Sequence, residues 1–142
     1  MKRIVILGAG TAGTMMANKL RKALDKDEWK ITVADSDKLH YYQPGFLFIP
    51  FGIYKREDVI KPTADFIPPG VEMIYSAIDK VDAENNSVIL EGGQVLNYDY
   101  LIIATGTKTY PEETLGLKDK LWYKEIFDFY TIEGSTALRN FI

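Results

Sequence analysis

The chain of 142 residues is 46% hydrophobic and carries a formal net charge of -3, from 17 basic and 20 acidic residues. This size favours one domain with a core large enough to fold alone, and the interspersed charges leave no basic face for a nucleic-acid backbone. The absence of cysteine excludes a disulfide framework, a thiolate metal site and any thiol redox step carried out by these residues alone.

The N-terminus combines two positive charges with a short apolar run, but glycines stand where a signal peptide would have its cleavage region. The apolar stretch from Pro44 to Tyr54 is too short to span a bilayer and is interrupted by Pro50 and Gly52. We therefore expect a cytoplasmic location and no membrane span, while contact with a membrane surface stays open.

The first part of the chain predicts a strand, a helix and a second strand. Arg3 to Leu7 is an apolar run typical of a strand buried on both faces of a parallel sheet. Thr11 to Leu24 predicts an amphipathic helix, and Lys30 to Asp35 predicts the second strand. The inner face of the helix is predicted to consist of Ala12, Met15, Met16, Ala17, Leu20, Ala23 and Leu24.

The middle and the end of the chain predict shorter elements. Residues 36–54 are expected to form an aromatic loop, followed by helical turns at 55–60 and 63–66. Val71 to Tyr75 predicts a third strand, and three short pieces at 78–82, 87–90 and 95–96 predict an antiparallel meander. The run YLIIATG predicts a buried strand that ends in a glycine turn, and TIEGSTALRNFI predicts the start of a helix.

A G-x-G-x-x-G motif, formed by Gly8, Gly10 and Gly13, lies between the first strand and the helix. In this motif the first glycine allows a tight turn, the second lets the backbone approach a pyrophosphate, and the third lets the helix lie close to the sheet. The phosphates would lie at the helix N-terminus, where free N–H groups and the helix dipole favour negative charge. Asp35 ends the second strand about 20 residues later, where an acid binds ribose hydroxyls. This order predicts dinucleotide binding rather than an unrelated glycine turn.

NAD and FAD domains share this motif, and a resemblance favours FAD. The opening IVILGAGTAG, Asp35, the meander, and YDYLIIATG with its turn at Ala104, Thr105 and Gly106 together resemble the FAD-binding portion of flavoproteins with two dinucleotide-binding domains. Within that superfamily, HYYQPGFLFIPFG at 40–52 and IFDFYTIEGSTALR at 126–139 resemble sulfide:quinone oxidoreductases. These belong to the FAD-dependent pyridine nucleotide-disulfide oxidoreductases. The resemblance covers the whole chain but only the N-terminal portion of such an enzyme.

The resemblance implies an α/β fold over residues 1–142. The fold would be a Rossmann-type FAD/NAD(P)-binding domain, with a parallel sheet and a β-meander crossover in a three-layer ββα arrangement. The cofactor would be FAD, with its pyrophosphate on the glycine loop, its ribose on the acid and its adenine near the backbone of the third strand's end. The cofactor-binding residues would be Gly8, Gly10, Thr11, Ala12, Gly13, Asp35, Ser36, Gln43, Ala77, Ala104, Thr105 and Gly106.

For the full-length enzyme, the resemblance implies electron transfer from sulfide, through a cysteine pair and FAD, to quinone. The chain departs from this pattern because Tyr130 precedes Thr131 where many members carry a redox cysteine. Sulfide is therefore assigned by analogy, and the alternatives are an NADH:quinone-type or other FAD/NAD(P)-dependent oxidoreductase, or a non-catalytic nucleotide-binding module.

The same resemblance leads to expectations about membrane location, activity and oligomeric state. A full-length enzyme would sit peripherally at the inner face of the cell membrane, through a C-terminal region outside this chain. Alone, the chain is expected to be inactive, without catalytic residues, and to form homo-oligomers through uncovered apolar surfaces.

Two further features have open interpretations. His40, the one histidine, is interpreted as a loop residue at the edge of the site rather than a proton-transfer group. An aromatic band fits equally well a wall of a flavin or quinone pocket and a core or interface; its members are Tyr41, Tyr42, Phe46, Phe48, Phe51 and Tyr54. No cluster of histidine and acidic residues predicts a metal site.

Overall fold

The computed structural model describes residues 1–142 and contains nine strands and three α-helices. The strands are β1 (Lys2–Leu7), β2 (Trp29–Asp35), β3 (Leu39–Tyr41), β4 (Ile60–Pro62), β5 (Val71–Tyr75), β6 (Ile78–Asp82), β7 (Ser87–Leu90), β8 (Val95–Asn97) and β9 (Tyr100–Ile103). The helices are α1 (Thr11–Ala23), α2 (Arg56–Val59) and α3 (Ile132–Phe141), and 3₁₀ turns occupy Gln43–Phe48, Thr63–Phe66 and Pro111–Glu113. None of the helices has the length and apolar character needed to cross a membrane.

The chain divides into two compact units. The first consists of Met1–His40 and Pro62–Gly106, and the second of Tyr41–Lys61 and Thr107–Ile142. The first unit contains the glycine motif, α1 and the main sheet, whereas the second contains α2 and α3.

A four-stranded parallel sheet with the order β5-β2-β1-β9 organises the first unit. The chain leaves β1 toward β2 on one side and returns later to place β9 on the other side. The strand order therefore reverses next to the carboxyl end of β1. In open α/β sheets, ligands bind in the crevice at such a switch point.

The two faces of this sheet bury different partners, because successive side chains of a strand point to opposite faces. On one face, Ile4 and Ile6 belong to a buried cluster with Ala17 of α1. On the other face, Val5 and Leu7 belong to a second cluster that includes residues of the meander and its exit: Val88, Leu90 and Tyr98. The result is a helix layer, a parallel sheet and an antiparallel layer in the order β6-β7-β8, which confirms the predicted α/β fold.

The buried face of α1 is narrower than predicted. Gly13, Thr14 and Ala17 are buried, and Met16, Leu20 and Leu24 pack against the core as partly buried residues. In contrast, Met15 is 53% exposed, and Ala12 and Ala23 are exposed as well. Periodicity selected the right side of the helix, but only its small residues come close enough to the sheet to be buried.

Two short strands were not predicted. β3 pairs with β4, so Ile60, which was expected to end a helical turn, is instead the first residue of a strand that continues to Pro62. Each strand has three residues, and the pairing joins segments far apart in the chain. Local patterns contain too little information to predict such a pairing.

The second unit has its own small core of Phe46, Ile49, Val59 and Ile132. Phe46 therefore fulfils the core interpretation of the aromatic band. Its neighbours Tyr42, Phe48, Phe51 and Tyr54 are exposed.

The N-terminus of α3 is closed by side chains of the same unit. Thr131 is the N-cap, and its Oγ1 accepts a hydrogen bond from the Gly134 N–H at 3.0 Å. Asp128 Oδ1 accepts bonds from the N–H groups of Tyr130 at 2.9 Å and Thr131 at 2.7 Å, while the Tyr123 hydroxyl donates to Oδ2 at 2.8 Å. Burial is the main reason why the pKa of Tyr123 is raised above its ordinary value.

Candidate functional site

The predicted site residues of the first unit meet at the carboxyl edge of the parallel sheet. Gly8 follows β1, Asp35 ends β2, Ala77 follows β5, and the turn at 104–106 follows β9. Because all four strands are parallel, their carboxyl ends lie at the same edge. The fold thus brings together residues that are widely separated in the chain.

Gly8 is required by its own backbone and by its neighbour. Its φ angle is +97°, a conformation that L side chains rarely adopt, and an added Cβ would overlap the carbonyl oxygen of Ala104. The close approach is held by backbone bonds, since Gly8 N–H donates to the Ala34 carbonyl at 2.8 Å and Ala104 N–H donates to the Leu7 carbonyl at 2.7 Å.

Gly13 and Gly10 have different surroundings. A Cβ at Gly13 would overlap the carbonyl oxygen of Gly8, so this glycine lets α1 lie directly on the turn that precedes it. A Cβ at Gly10 would meet no atom within 4 Å, and the residue is exposed. The fold therefore needs glycine at positions 8 and 13, whereas at position 10 the backbone faces open space. This is the arrangement that lets a phosphate group approach the loop.

The N-terminus of α1 is uncapped. Its N-cap residue, Gly10, has no side chain to offer, and the first turn contains no acidic residue. The first intrahelical bond closes at the Thr14 N–H, which donates to the Gly10 carbonyl at 3.0 Å. The N–H groups of Thr11, Ala12 and Gly13 thus have no carbonyl of a preceding helical turn to bind. Together with the helix dipole, they favour an anion at this position.

Asp35 is bonded directly to the glycine loop. Its Oδ2 accepts a hydrogen bond from the Ala9 N–H at 2.6 Å, and its Oδ1 accepts one from the Asp37 N–H at 2.9 Å. Each carboxylate oxygen can accept more than one bond, so the group retains capacity for hydroxyl donors. Ser36, the next residue, is exposed beside it. The sequence predicted the acid at this edge but not its bond to the loop.

His40 also contacts the glycine loop, which the sequence did not predict. Its Nδ1 lies 3.1 Å from the carbonyl oxygen of Ala9, and its ring stacks on Phe66 with centroids 4.2 Å apart. The residue belongs to β3 and is partly buried. His40 is therefore a strand residue rather than the predicted loop residue, and it makes a defined contact with the glycine loop. No local signal indicates this contact, because 31 residues separate the partners.

The remaining predicted residues of this edge differ in exposure. Ala77 is partly buried, and its carbonyl accepts a bond from the Glu91 N–H at 2.9 Å. Thr105 and Gly106 are exposed, and Gly106 has a φ angle of +72° with open space where a Cβ would stand. The backbone of this turn is thus accessible to a ligand, while Ala104 is fixed against Gly8.

Gln43 belongs to the second unit. Its Nε2 donates to the carbonyl of Tyr130 at 3.3 Å, and the Tyr130 hydroxyl lies 2.8 Å from Thr107 Oγ1. Hydrogen bonding by Thr107, and then by Gln43, lowers the pKa of Tyr130. The structure therefore associates Gln43 with Tyr130, the residue at which the chain departs from the cysteine pattern.

A groove of about 510 Å³ lies on the flank of α1 rather than at its N-terminus. Its lining consists of Thr14, Met15, Asn18, Asp65, Phe66, Ile67, Pro68 and Pro69. No group of three or more histidine, cysteine or acidic side chains is placed to hold a metal ion.

Comparisons with known proteins match the sequence and the fold of this chain. The family model of pyridine nucleotide-disulphide oxidoreductases matches residues 2–132. The mitochondrial sulfide:quinone oxidoreductase of Dictyostelium discoideum is 31% identical over 140 residues, which cover 99% of this chain and 31% of that protein. The type II NADH:quinone oxidoreductase of Staphylococcus haemolyticus is 32% identical over 142 residues, which cover 99% of this chain and 34% of that protein.

The solved structure of the sulfide:quinone oxidoreductase from Aquifex aeolicus is 26% identical and superimposes with a TM-score of 0.78, covering 99% of this chain and 31% of that chain. The chain thus spans about a third of the length of these relatives. These findings confirm the Rossmann-like fold and the resemblance to sulfide:quinone oxidoreductases.

Proposed function

Because the chain belongs to the pyridine nucleotide-disulphide oxidoreductase family, we propose that it binds the ADP portion of FAD at the carboxyl edge of its parallel sheet. The observation that carries this proposal is the uncapped N-terminus of α1, where Gly10 faces open space and no acidic side chain competes for the N–H groups. An anion is the ligand that this arrangement favours, and a pyrophosphate supplies one.

Each residue of the edge has a role in this proposal. Gly8 and Gly13 shape the loop, while the N–H groups at Gly10, Thr11 and Ala12 bind the pyrophosphate. Asp35 accepts a hydrogen bond from the Ala9 N–H, and its remaining lone pairs accept bonds from the ribose hydroxyls. Ser36 lies beside it.

The rest of the cofactor is assigned by the same proposal. The backbone around Ala77 meets the adenine, and the exposed turn of Thr105 and Gly106, next to Ala104, lies near the flavin. When bound, the flavin supplies the redox chemistry, and the protein supplies orientation and electrostatics.

We propose that the whole protein transfers electrons to a quinone. The names of the relatives include both sulfide:quinone and NADH:quinone oxidoreductases, so quinone is common to the two groups. Sulfide is the proposed donor, on the similarity to the Aquifex aeolicus enzyme. NADH is the second candidate, favoured by the similarity to the type II NADH:quinone oxidoreductase of Staphylococcus haemolyticus and by Tyr130 at the expected cysteine position. A quinone is lipid-soluble, so a peripheral position at the membrane belongs to this proposal.

The experiment is a calorimetric titration of the chain with FAD and, separately, with NADH. We expect selective FAD binding that is lost in Gly10→Val, because the branched side chain fills the space in front of the loop. The matched control is Ala23→Val, which places the same side chain at the exposed far end of α1 and is expected to leave FAD affinity unchanged. Wild-type affinity in Gly10→Val, or a preference for NADH, would overturn the FAD assignment.

The expected inactivity of the chain has its own test. Sulfide or NADH is added anaerobically to the FAD-loaded chain, and flavin absorbance is followed. We expect neither donor to bleach the flavin. The chain contains no thiol to react with sulfide, and its one G-x-G-x-x-G motif is assigned to FAD, which leaves no second motif for NADH. Bleaching by one of them would contradict the expected inactivity and identify the donor.

A further inference from the structure

Ala9, between the first two glycines of the motif, is held by side chains on both of its peptide groups. Its N–H donates to Asp35 Oδ2 at 2.6 Å, and its carbonyl oxygen lies 3.1 Å from His40 Nδ1. The first bond fixes the peptide plane between Gly8 and Ala9, and the second fixes the plane between Ala9 and Gly10. Two successive planes of the loop are thus set by side chains from outside it.

The second plane determines the direction of the Gly10 N–H. In a trans peptide the carbonyl of one residue and the N–H of the next point in opposite directions, and the chain contains no cis peptide. With the Ala9 carbonyl directed at His40, the Gly10 N–H is directed away from His40. Of the three glycines of the motif, Gly10 is the one at which an added Cβ would meet no atom within 4 Å.

His40 is itself supported from α1. Its ring stacks on Phe66 with an interplanar angle of 29°. The carbonyl of Phe66 accepts a bond from Asn18 Nδ2 at 2.9 Å, and the same nitrogen donates to the Thr14 carbonyl at 2.9 Å. The helix that follows the glycine loop therefore positions the residue that holds the loop.

The contact also defines the protonation of the imidazole. A carbonyl oxygen can only accept, so His40 Nδ1 carries the proton and donates it to the Ala9 carbonyl. In the neutral ring, Nε2 is then the unprotonated nitrogen.

We propose that His40 is a positioning residue for the dinucleotide: its Nδ1–H holds the Ala9–Gly10 peptide so that the Gly10 N–H is directed toward the pyrophosphate. This inference rests on the proposed function, since the pyrophosphate is that of FAD. It assigns the residue a hydrogen-bond donor role rather than proton transfer.

Two substitutions separate the hydrogen bond from the ring stacking. His40→Phe keeps an aromatic ring against Phe66 but has no donor, whereas His40→Asn keeps a short N–H donor but has no ring. We expect His40→Phe to bind FAD about three- to ten-fold more weakly, the loss of one hydrogen bond. His40→Asn is expected to recover most of the affinity.

The opposite ranking, with His40→Phe equal to the wild type and His40→Asn weakened, would show that the residue acts through packing and would overturn the inference. Thermal unfolding of both variants identifies any loss of affinity that comes from a loss of fold.

The tautomer of His40 gives a readout that needs no ligand. The chain has one histidine, so a ¹⁵N-histidine-labelled sample gives one pair of ring nitrogen signals. At about pH 8.5 we expect the neutral ring to carry its proton on Nδ1. A proton on Nε2 would overturn the contact and the inference with it.

The two proposals fail separately. A wild-type chain that binds no FAD overturns the proposed function and the nucleotide-positioning role, and the tautomer then still supports or overturns the contact with the loop. A wild-type chain that binds FAD, with unchanged affinity in His40→Phe, leaves the proposed function standing and overturns the role of His40.

Discussion

The N-termini of α1 and α3 are built alike and completed differently. Both helices have glycine as their third residue, and both glycines allow the preceding loop to come very close. A Cβ at Gly13 would overlap the Gly8 carbonyl oxygen, and a Cβ at Gly134 would overlap the carbonyl oxygen of Asp128. At α3 the loop supplies a carboxylate and the hydroxyl of Thr131 to the free N–H groups. At α1 the loop supplies no side-chain oxygen.

The two helices also differ in the acidic residues of their first turns. The first turn of α3 contains Glu133, whereas the first turn of α1 contains no acid. Free N–H groups and the positive end of a helix dipole are present in both cases. At α3 the protein's own oxygens bind the N–H groups of Thr131 and Gly134, whereas at α1 no side-chain oxygen caps the helix and its N–H groups are left to a ligand. An uncapped N-terminus beside glycine is therefore informative when another helix of the same chain is capped.

The largest effect is expected where α1 touches its loop. In Gly13→Ala, the new methyl group meets a backbone oxygen that cannot move away, so we expect the free energy of unfolding to fall by at least about 2 kcal/mol. Urea unfolding measures the change. Gly10→Ala is the matched control, because its φ angle of -69° is open to alanine and no atom lies within 4 Å of the new Cβ. Its stability should equal that of the wild type or exceed it by up to about 1 kcal/mol. An equal loss of unfolding free energy in Gly13→Ala and Gly10→Ala would contradict the conclusion that the fold needs glycine at position 13 but not at position 10.

Removal of the caps should make α3 resemble α1. In Asp128→Ala, two loop N–H groups and the Tyr123 hydroxyl lose their acceptor, and we expect a loss of about 2 kcal/mol in urea unfolding. Thr131→Ala removes the N-cap alone and should cost about 1 kcal/mol. The exposed loop acid Asp119 provides a control, with an expected change within about 0.5 kcal/mol on substitution by alanine. Wild-type stability in Asp128→Ala would show that the caps contribute nothing.

The smallest change in stability is expected when α1 is made to resemble α3. This change should slightly raise the stability but lower the affinity for FAD. Ala12→Asp places an acid in the first turn of α1 and should raise stability by about 0.5 kcal/mol through the helix dipole. The same charge repels a pyrophosphate, so FAD affinity should fall at least about five-fold. Ala12→Asn is the neutral control. Affinity that falls equally in both variants would point to size rather than charge.

Much of this edge could be predicted from the sequence, because its signals are local. The strand that ends at Asp35 and the glycines at 8, 10 and 13 follow from spacing along a short segment, and the structure places them together. The α3 helix was also predicted at its true start, Thr131, which is the N-cap. These features depend on neighbours in the chain.

The contacts that hold the loop could not be predicted, because they join distant residues. His40 and Ala9 are 31 residues apart, and Asn18 and Phe66 are 48 residues apart. The β3–β4 pairing likewise joins residues that are distant in the chain. Each depends on the tertiary arrangement of segments that show no shared pattern, so propensity and periodicity do not indicate them.

The measurement that tests the central claim most directly is a map of backbone amide shifts in the ¹⁵N-labelled chain on titration with FAD. We expect the largest changes at the amides of Gly10, Thr11, Ala12 and Gly13, with smaller changes at Asp35 and its neighbours. The Gly134 amide of α3 should stay unchanged, because the Thr131 hydroxyl already accepts a hydrogen bond from it. Saturable binding without shifts at residues 10–13 would contradict the assignment of the pyrophosphate to α1.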